Sequence, residues 1–276
     1  VRTAFVDWFR ERRDRLFVFM NIFDPHEPYA PPHPYDTLFP GRDERFGTLF
    51  TPLVNAGTAI TPEMQAHFVS QYDGEIAYSD HVLGAIFADL KRAGRYDGAL
   101  VIVTSDHGEM LGEHGLAGHG LAPFEELLHV PLIVKYPGNV RGGERVARHV
   151  STLGVFATVL TTVGVPLPSG TDARPLDEDH PVWAEDINWL GRRVRVGYDG
   201  SWKLVSVASA TGTTTELYDL ASDPAETRPA RDGTGAQDLR AALRAFDGAE
   251  RPTNPAPAPV IDPERELKLR ELGYIQ

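Results

Sequence analysis

The chain has 276 residues, 42% hydrophobic and 24% charged, enough to bury a sizeable core as one large domain or one large and one small. A formal net charge of -12 argues against a nucleic-acid surface, which needs clustered Lys and Arg. The absence of cysteine excludes disulfides, thiolate metal ligands and a cysteine nucleophile within these residues, and no apolar run is long enough to span a membrane.

The charged run Arg10–Arg15 reads as a solvated helix end, and no secretory leader is visible before it. The expectation is therefore a cytoplasmic protein, with export left open. Leu16–Phe23 is an apolar run of strand length that discharges into Asp24-Pro25-His26. From Ala30 to Pro62 the many prolines predict a long ordered loop, because proline removes a donor and fixes φ.

Thr61-Pro62 supplies a cap and a first-turn proline for a helix ending at Gly94. Its inward stripe is Met64, Phe68, Tyr72, Ile76, Leu83, Ile86, Phe87 and Leu90. Residues 100–104 form a β-branched strand, followed by a glycine-rich loop, a short helix from Pro123 to Leu128, a strand from Pro131 to Tyr136 and a helix from Thr152 to Val163. Such alternation indicates an α/β fold with a mixed, mostly parallel sheet flanked by helices.

After Pro166 the pattern changes to short runs at 182–189, 193–198, 202–207 and 214–218, with Asp199-Gly200 as a hairpin turn. These predict a small antiparallel sheet. A helix from Asp238 to Phe246, a Pro-rich linker from Arg251 to Pro259 and a last helix before Gly273 complete the order. The expected division is 1–170 for the α/β part and 171–276 for the small sheet with its terminal helices.

The chemistry concentrates in Ser105-Asp106-His107-Gly108-Glu109 and the glycines that follow. An isolated Asp-His pair is usually an incidental turn. Here the pair follows a predicted buried strand, where ligands of open α/β sheets gather, and the glycines let backbone approach a bound group. A hard divalent cation such as Ca²⁺ or Mg²⁺ wants more oxygens than one Asp provides, so the pair reads as half of a metal site. His114 in the same loop reads as a supporting or surface residue. His33, His67, His81, His129, His149 and His180 lack ligand spacing and read as structural.

Taken in order, Asp24–Tyr29, the helix from Tyr72 to Leu90, Asp106–His119, Val130–Ile133 with Pro137-Gly138, Leu217–Leu220 with Asp223-Pro224, and Leu269–Tyr274 make the chain similar to the sulfatase family of the alkaline phosphatase superfamily, in its carboxyl-terminal portion. The resemblance implies an alkaline phosphatase-like fold and a metal-dependent sulfuric ester hydrolase. Asp106 and His107 would be metal ligands, with Ca²⁺ expected and Mg²⁺ or Mn²⁺ as alternatives. His26 would approach a sulfuryl oxygen or the leaving group. His119 stands where many members carry a Lys that binds the sulfate ester, so its positive charge would depend on pH.

The family's formylglycine nucleophile arises from a C/S-x-P/A-x-R motif, which these residues lack, as they lack the paired acidic ligands. The resemblance thus implies that this chain alone is inactive. The substrate would be a small-molecule or carbohydrate sulfate ester. Two other readings stay open: a phosphonate monoester or phosphodiester hydrolase of the same superfamily, and a non-catalytic chain that keeps the fold.

Overall fold

The computed structural model describes residues 2–12, 14–55, 57–120, 122–187, 192–230 and 235–248. Residues Val1–Leu239 cluster into one compact unit and Arg240–Gln276 into a second. The predicted linker and last helix lie outside the described residues.

The first unit opens with helix α1 (Arg2–Arg10), whose Phe5 and Phe9 are buried in a cluster with Ile86. The next apolar run, Leu16–Phe23, forms no strand. A strand needs a hydrogen-bonded neighbour, and none pairs with this run among the described residues. Phe17 and Phe19 accordingly remain 74% and 83% exposed. The predicted loop from Ala30 to Pro62 carries helical turns that were not expected. It contains a turn of 3-10 helix at Tyr35–Thr37 and helix α2 (Phe50–Asn55). Pro52 is compatible with α2 because it falls in the first turn, where the backbone N–H has no helical partner.

Helix α3 (Pro62–Arg92) matches the sequence pattern. The Thr61 side chain accepts from the Met64 amide at 3.3 Å, Pro62 opens the first turn, and Gly94 follows the carboxyl end at φ +66. Phe68 and Ile86 of the predicted stripe are buried, whereas Ile76 is exposed. Phe68 packs with Phe50, Tyr29 and Leu111, and burial of a side chain of that size contributes about 1.5–3 kcal/mol. The same helix buries His67, Ser70, Gln71 and Glu75. These polar groups hold the preceding segment. The His67 Nδ1 accepts from the Asp43 amide, its Nε2 donates to the Gly47 carbonyl, and the Gln71 Nε2 donates to the Asp36 carbonyl.

Strand β1 (Val101–Thr104) pairs antiparallel with β4 (Leu132–Lys135). Between them lie the two-residue strands β2 (Met110–Leu111) and β3 (Ala117–Gly118), paired with each other, and the single turn α4 (Glu125–Leu128). Helix α5 (Leu153–Thr162) follows. The α/β class is as expected, but every strand pair among the described residues is antiparallel, in place of the mostly parallel sheet read from the sequence. Alternation along the chain cannot specify direction when the intervening segment is short and irregular.

The small sheet has the predicted antiparallel form, with order β5 (Val182–Ile187), β6 (Arg193–Asp199), β7 (Trp202–Ser209) and β8 (Gly212–Asp219). Val194, Val196, Val205 and Tyr218 form its core. Trp183 lies across Gly197, where an added β-carbon would stand 2.4 Å from the indole. Lys203 is fully buried and joins the sheet to α4, its Nζ lying 2.9 Å from Glu125 and 2.7 Å from Glu226. The predicted helix from Asp238 to Phe246 is present as α6 (Gly235–Gly248).

Candidate functional site

The site residues come from two loops: the turn after β1 and the proline-rich segment before α3. In the first, Ser105 donates its hydroxyl to the His107 carbonyl at 2.6 Å, and the Asp106 Oδ1 accepts from the His107 amide at 3.0 Å. This local bonding fixes the turn and leaves the Asp106 Oδ2 facing the His107 Nε2 at 3.9 Å. The His107 Nδ1 donates to the Gly108 carbonyl at 2.8 Å, so the lone pair sits on Nε2. A ring nitrogen tied to a backbone carbonyl while the other is left to ligate is the usual arrangement of a metal-bound histidine.

The pair therefore fits a divalent cation, since ligands about 2.3–2.6 Å from Ca²⁺ stand roughly 3–5 Å apart around it. They account for only two members of the shell. Among the described residues, no third acidic or imidazole group completes a triple with Asp106 and His107.

His119, twelve residues on, returns to this turn through the β2–β3 hairpin. Its ring centre lies 4.3 Å from that of His107 and 6.0 Å from that of His26. The four sequence-predicted residues are thus gathered in one place. His26 stacks on Phe23 at 4.3 Å and donates Nδ1 to the Glu27 carbonyl at 2.8 Å, which leaves its Nε2 available.

The segment carrying His26 is fastened to α3. The Glu75 Oε1 accepts from the Ala30 amide at 2.7 Å, and Ser79 donates to the Asp24 carbonyl at 3.0 Å. Gly74 lets the segment approach the helix, because a β-carbon there would stand 2.7 Å from the Tyr35 carbonyl. Burial pushes the Glu75 carboxyl up to about 7, with the nearby charge of Asp24 adding to it.

Sequence reasoning missed two acidic residues, Glu109 and Glu27. The Glu109 side chain is 6% exposed, and its two oxygens lie 3.2 and 3.3 Å from the His119 Nδ1. That hydrogen bond is the main reason the His119 imidazole is held above its ordinary pKa. Glu27 joins them, with one ligand-capable atom of each of the three residues within 4.8 Å of the others. The available signal was adjacency, since each carboxylate sits one or two residues from a histidine already singled out. The Tyr29 hydroxyl lies buried beside this cluster, turned toward Glu109. Burial raises its pKa most, and the Glu109 charge next. His114 stacks on Phe124 with ring centres 3.6 Å apart.

The Asp106–His107 turn after β1, with the His26 and His119 rings beside it, is carried by an α/β protein of alkaline phosphatase-like fold. The sulfatase family model matches residues 2–165, and the chain belongs to that family, within the alkaline phosphatase superfamily. Among curated proteins it is 28% identical over 196 residues to arylsulfatase K of Danio rerio, covering 62% of this chain and 36% of that protein. It is 27% identical over 188 residues to the multifunctional alkaline phosphatase superfamily protein PehA of Trinickia caryophylli, covering 58% and 36%. The chain thus spans about a third of the length of these relatives. Among solved structures it superposes on the phosphonate monoester hydrolase of Agrobacterium radiobacter with a TM-score of 0.68 and 26% identity, covering 89% of this chain and 59% of that one.

Proposed function

We propose that the chain is part of a metal-dependent sulfuric ester hydrolase, with Asp106 and His107 as metal ligands and His26 and His119 meeting the ester oxygens. The observation that carries this reading is the convergence of the His26, His107 and His119 rings at the end of β1. A bound divalent ion, Ca²⁺ before Mg²⁺ or Mn²⁺, would supply charge stabilisation at the sulfuryl oxygens. His119, tied to Glu109 through Nδ1, presents Nε2 and a positive charge to an ester oxygen. His26, tied through Nδ1 to the Glu27 carbonyl, passes a proton from Nε2 to the departing alcohol.

The nucleophile of this reading is a formylglycine hydrate, whose oxygen attacks sulfur as the bond to the alcohol breaks. These 276 residues contain neither a cysteine nor a serine in the family's motif, so the nucleophile and the remaining acidic ligands come from outside them. The substrate class is a small-molecule or carbohydrate sulfate ester.

A second reading, a phosphonate monoester or phosphodiester hydrolase, is favoured by the 26% identity to the Agrobacterium radiobacter hydrolase. The test is a parallel assay of the full-length protein, with mature nucleophile and added Ca²⁺ or Mn²⁺, on an aryl sulfate, a phenyl phosphonate and an aryl phosphodiester. The expected result is a kcat/KM at least tenfold higher for the sulfate. The reverse order transfers the assignment to the second reading, and no turnover of any of the three overturns both.

A further inference from the structure

The cluster of Glu27, Glu109 and His119 is built unlike a simple ion pair. Glu109 is almost wholly buried. The Glu27 Oε2 is a buried atom without a hydrogen-bond partner, with the His26 Nδ1 3.8 Å away. Two carboxylates and one imidazole leave a net negative charge, and burying a carboxylate without compensation is costly. The Tyr29 hydroxyl, on a residue 2% exposed, is a further buried oxygen turned toward Glu109. These are the marks of a place suited to a cation.

The spacing indicates which cation. The Glu109 oxygens stand 3.2 and 3.3 Å from the His119 Nδ1, long for a charge-assisted hydrogen bond. Two ligands each about 2.0–2.1 Å from a tetrahedral zinc ion stand about 3.3 Å apart. One imidazole nitrogen with two carboxylate oxygens is a donor set for zinc, whereas Ca²⁺ prefers six or more oxygens at longer distances. Glu27, with a ligand atom within 4.8 Å of the other two, closes on the ion by a modest side-chain movement.

We infer that Glu27, Glu109 and His119 form a zinc site distinct from the Asp106–His107 pair, with water as fourth ligand. Zinc there takes the place of the proton between the His119 Nδ1 and Glu109. The binding does not rest on the sulfatase reading.

The experiment is calorimetric titration of the 276-residue protein with ZnCl₂ in excess CaCl₂, for wild type, Glu27→Gln, Glu109→Gln and Asp106→Ala, each compared by circular dichroism. The expected result is one zinc per chain, bound at least tenfold more weakly by Glu27→Gln and by Glu109→Gln, and within twofold of wild type by Asp106→Ala. Glu27→Gln keeps the test sound should Glu109→Gln fail to fold, because the Glu27 Oε2 accepts no structural hydrogen bond. Wild type that takes up no zinc, equal affinity in wild type and Glu27→Gln, or loss of affinity in Asp106→Ala would each overturn the site. Because the readout is zinc uptake, a failed sulfatase assay leaves this result standing, and the reverse holds as well.

Discussion

Gly108 and Glu126 are in such close approach that a β-carbon on Gly108 would stand 1.9 Å from the Glu126 carbonyl oxygen, while the Gly108 amide donates to Leu127 at 2.9 Å. The single turn α4 is therefore the wall against which the Asp106–His107 turn is set. Gly108→Ala must push the two backbones apart. The expected cost is about 1–3 kcal/mol or more, read as a lower denaturation midpoint in urea, with a parallel loss of divalent cation affinity. An unchanged midpoint would mean the turn and α4 move freely.

The wall is held from behind by Lys203, fully buried between Glu125 and Glu226, with Tyr198 donating to the same Glu125 oxygen at 2.7 Å. Lys203→Met leaves the buried Glu226 and the partly buried Glu125 without their cation, and breaking a buried pair from one side costs about 3–5 kcal/mol. Adding Glu125→Gln and Glu226→Gln should return part of that loss. Thermal melts of the single and triple variants check it; a triple variant less stable than the single one would refute the charge argument.

Glu75 gives a pH dependence of defined sign. Its folded pKa is raised to about 7 from 4.5, so between those values the unfolded chain loses a proton that the folded chain keeps. Stability contributed by this group is full below pH 4.5 and is lost as pH rises toward 7. Glu75→Gln keeps an acceptor for the Ala30 amide and removes the titration. The stability of the variant relative to wild type should therefore rise between pH 4.5 and 8, by on the order of 3 kcal/mol. Urea denaturation at both pH values measures it, and a difference that does not change with pH would contradict the assignment.

The isolated 276-residue chain should bind Ca²⁺ weakly, because Asp106 and His107 leave most of a shell of about six to eight ligands to water. Calorimetry showing tight, stoichiometric Ca²⁺ uptake that survives Asp106→Ala would place the ion elsewhere.

Much of this arrangement is written locally. Asp106 and His107 stand out because a β-branched run ends at them and glycines follow, and α3 because its cap, first-turn proline and stripe agree. What escaped is what depends on distant closure. Leu16–Phe23 has the composition of a strand, but a strand is made by its neighbour, and composition does not name one. Helix α2 was hidden by Pro52, whose effect depends on whether it falls in the first turn. Glu27 and Glu109 were passed over because their partnership with His119 exists only once the His26 segment has been laid on α3 and the β2–β3 hairpin has folded back. The antiparallel β1–β4 pairing was missed for a similar reason, since strand direction is set by the path of the chain between the strands.

The most direct measurement of the central claim is kcat/KM for an aryl sulfate in the full-length, metal-loaded protein, compared among wild type, Asp106→Ala and His119→Ala. The account predicts turnover by wild type, a fall of at least about 100-fold in His119→Ala with cation affinity retained, as for loss of a group that stabilises developing charge, and a fall in Asp106→Ala accompanied by weakened metal binding. Wild-type rates in both variants would contradict it, and would return these residues to the structure of the loop alone.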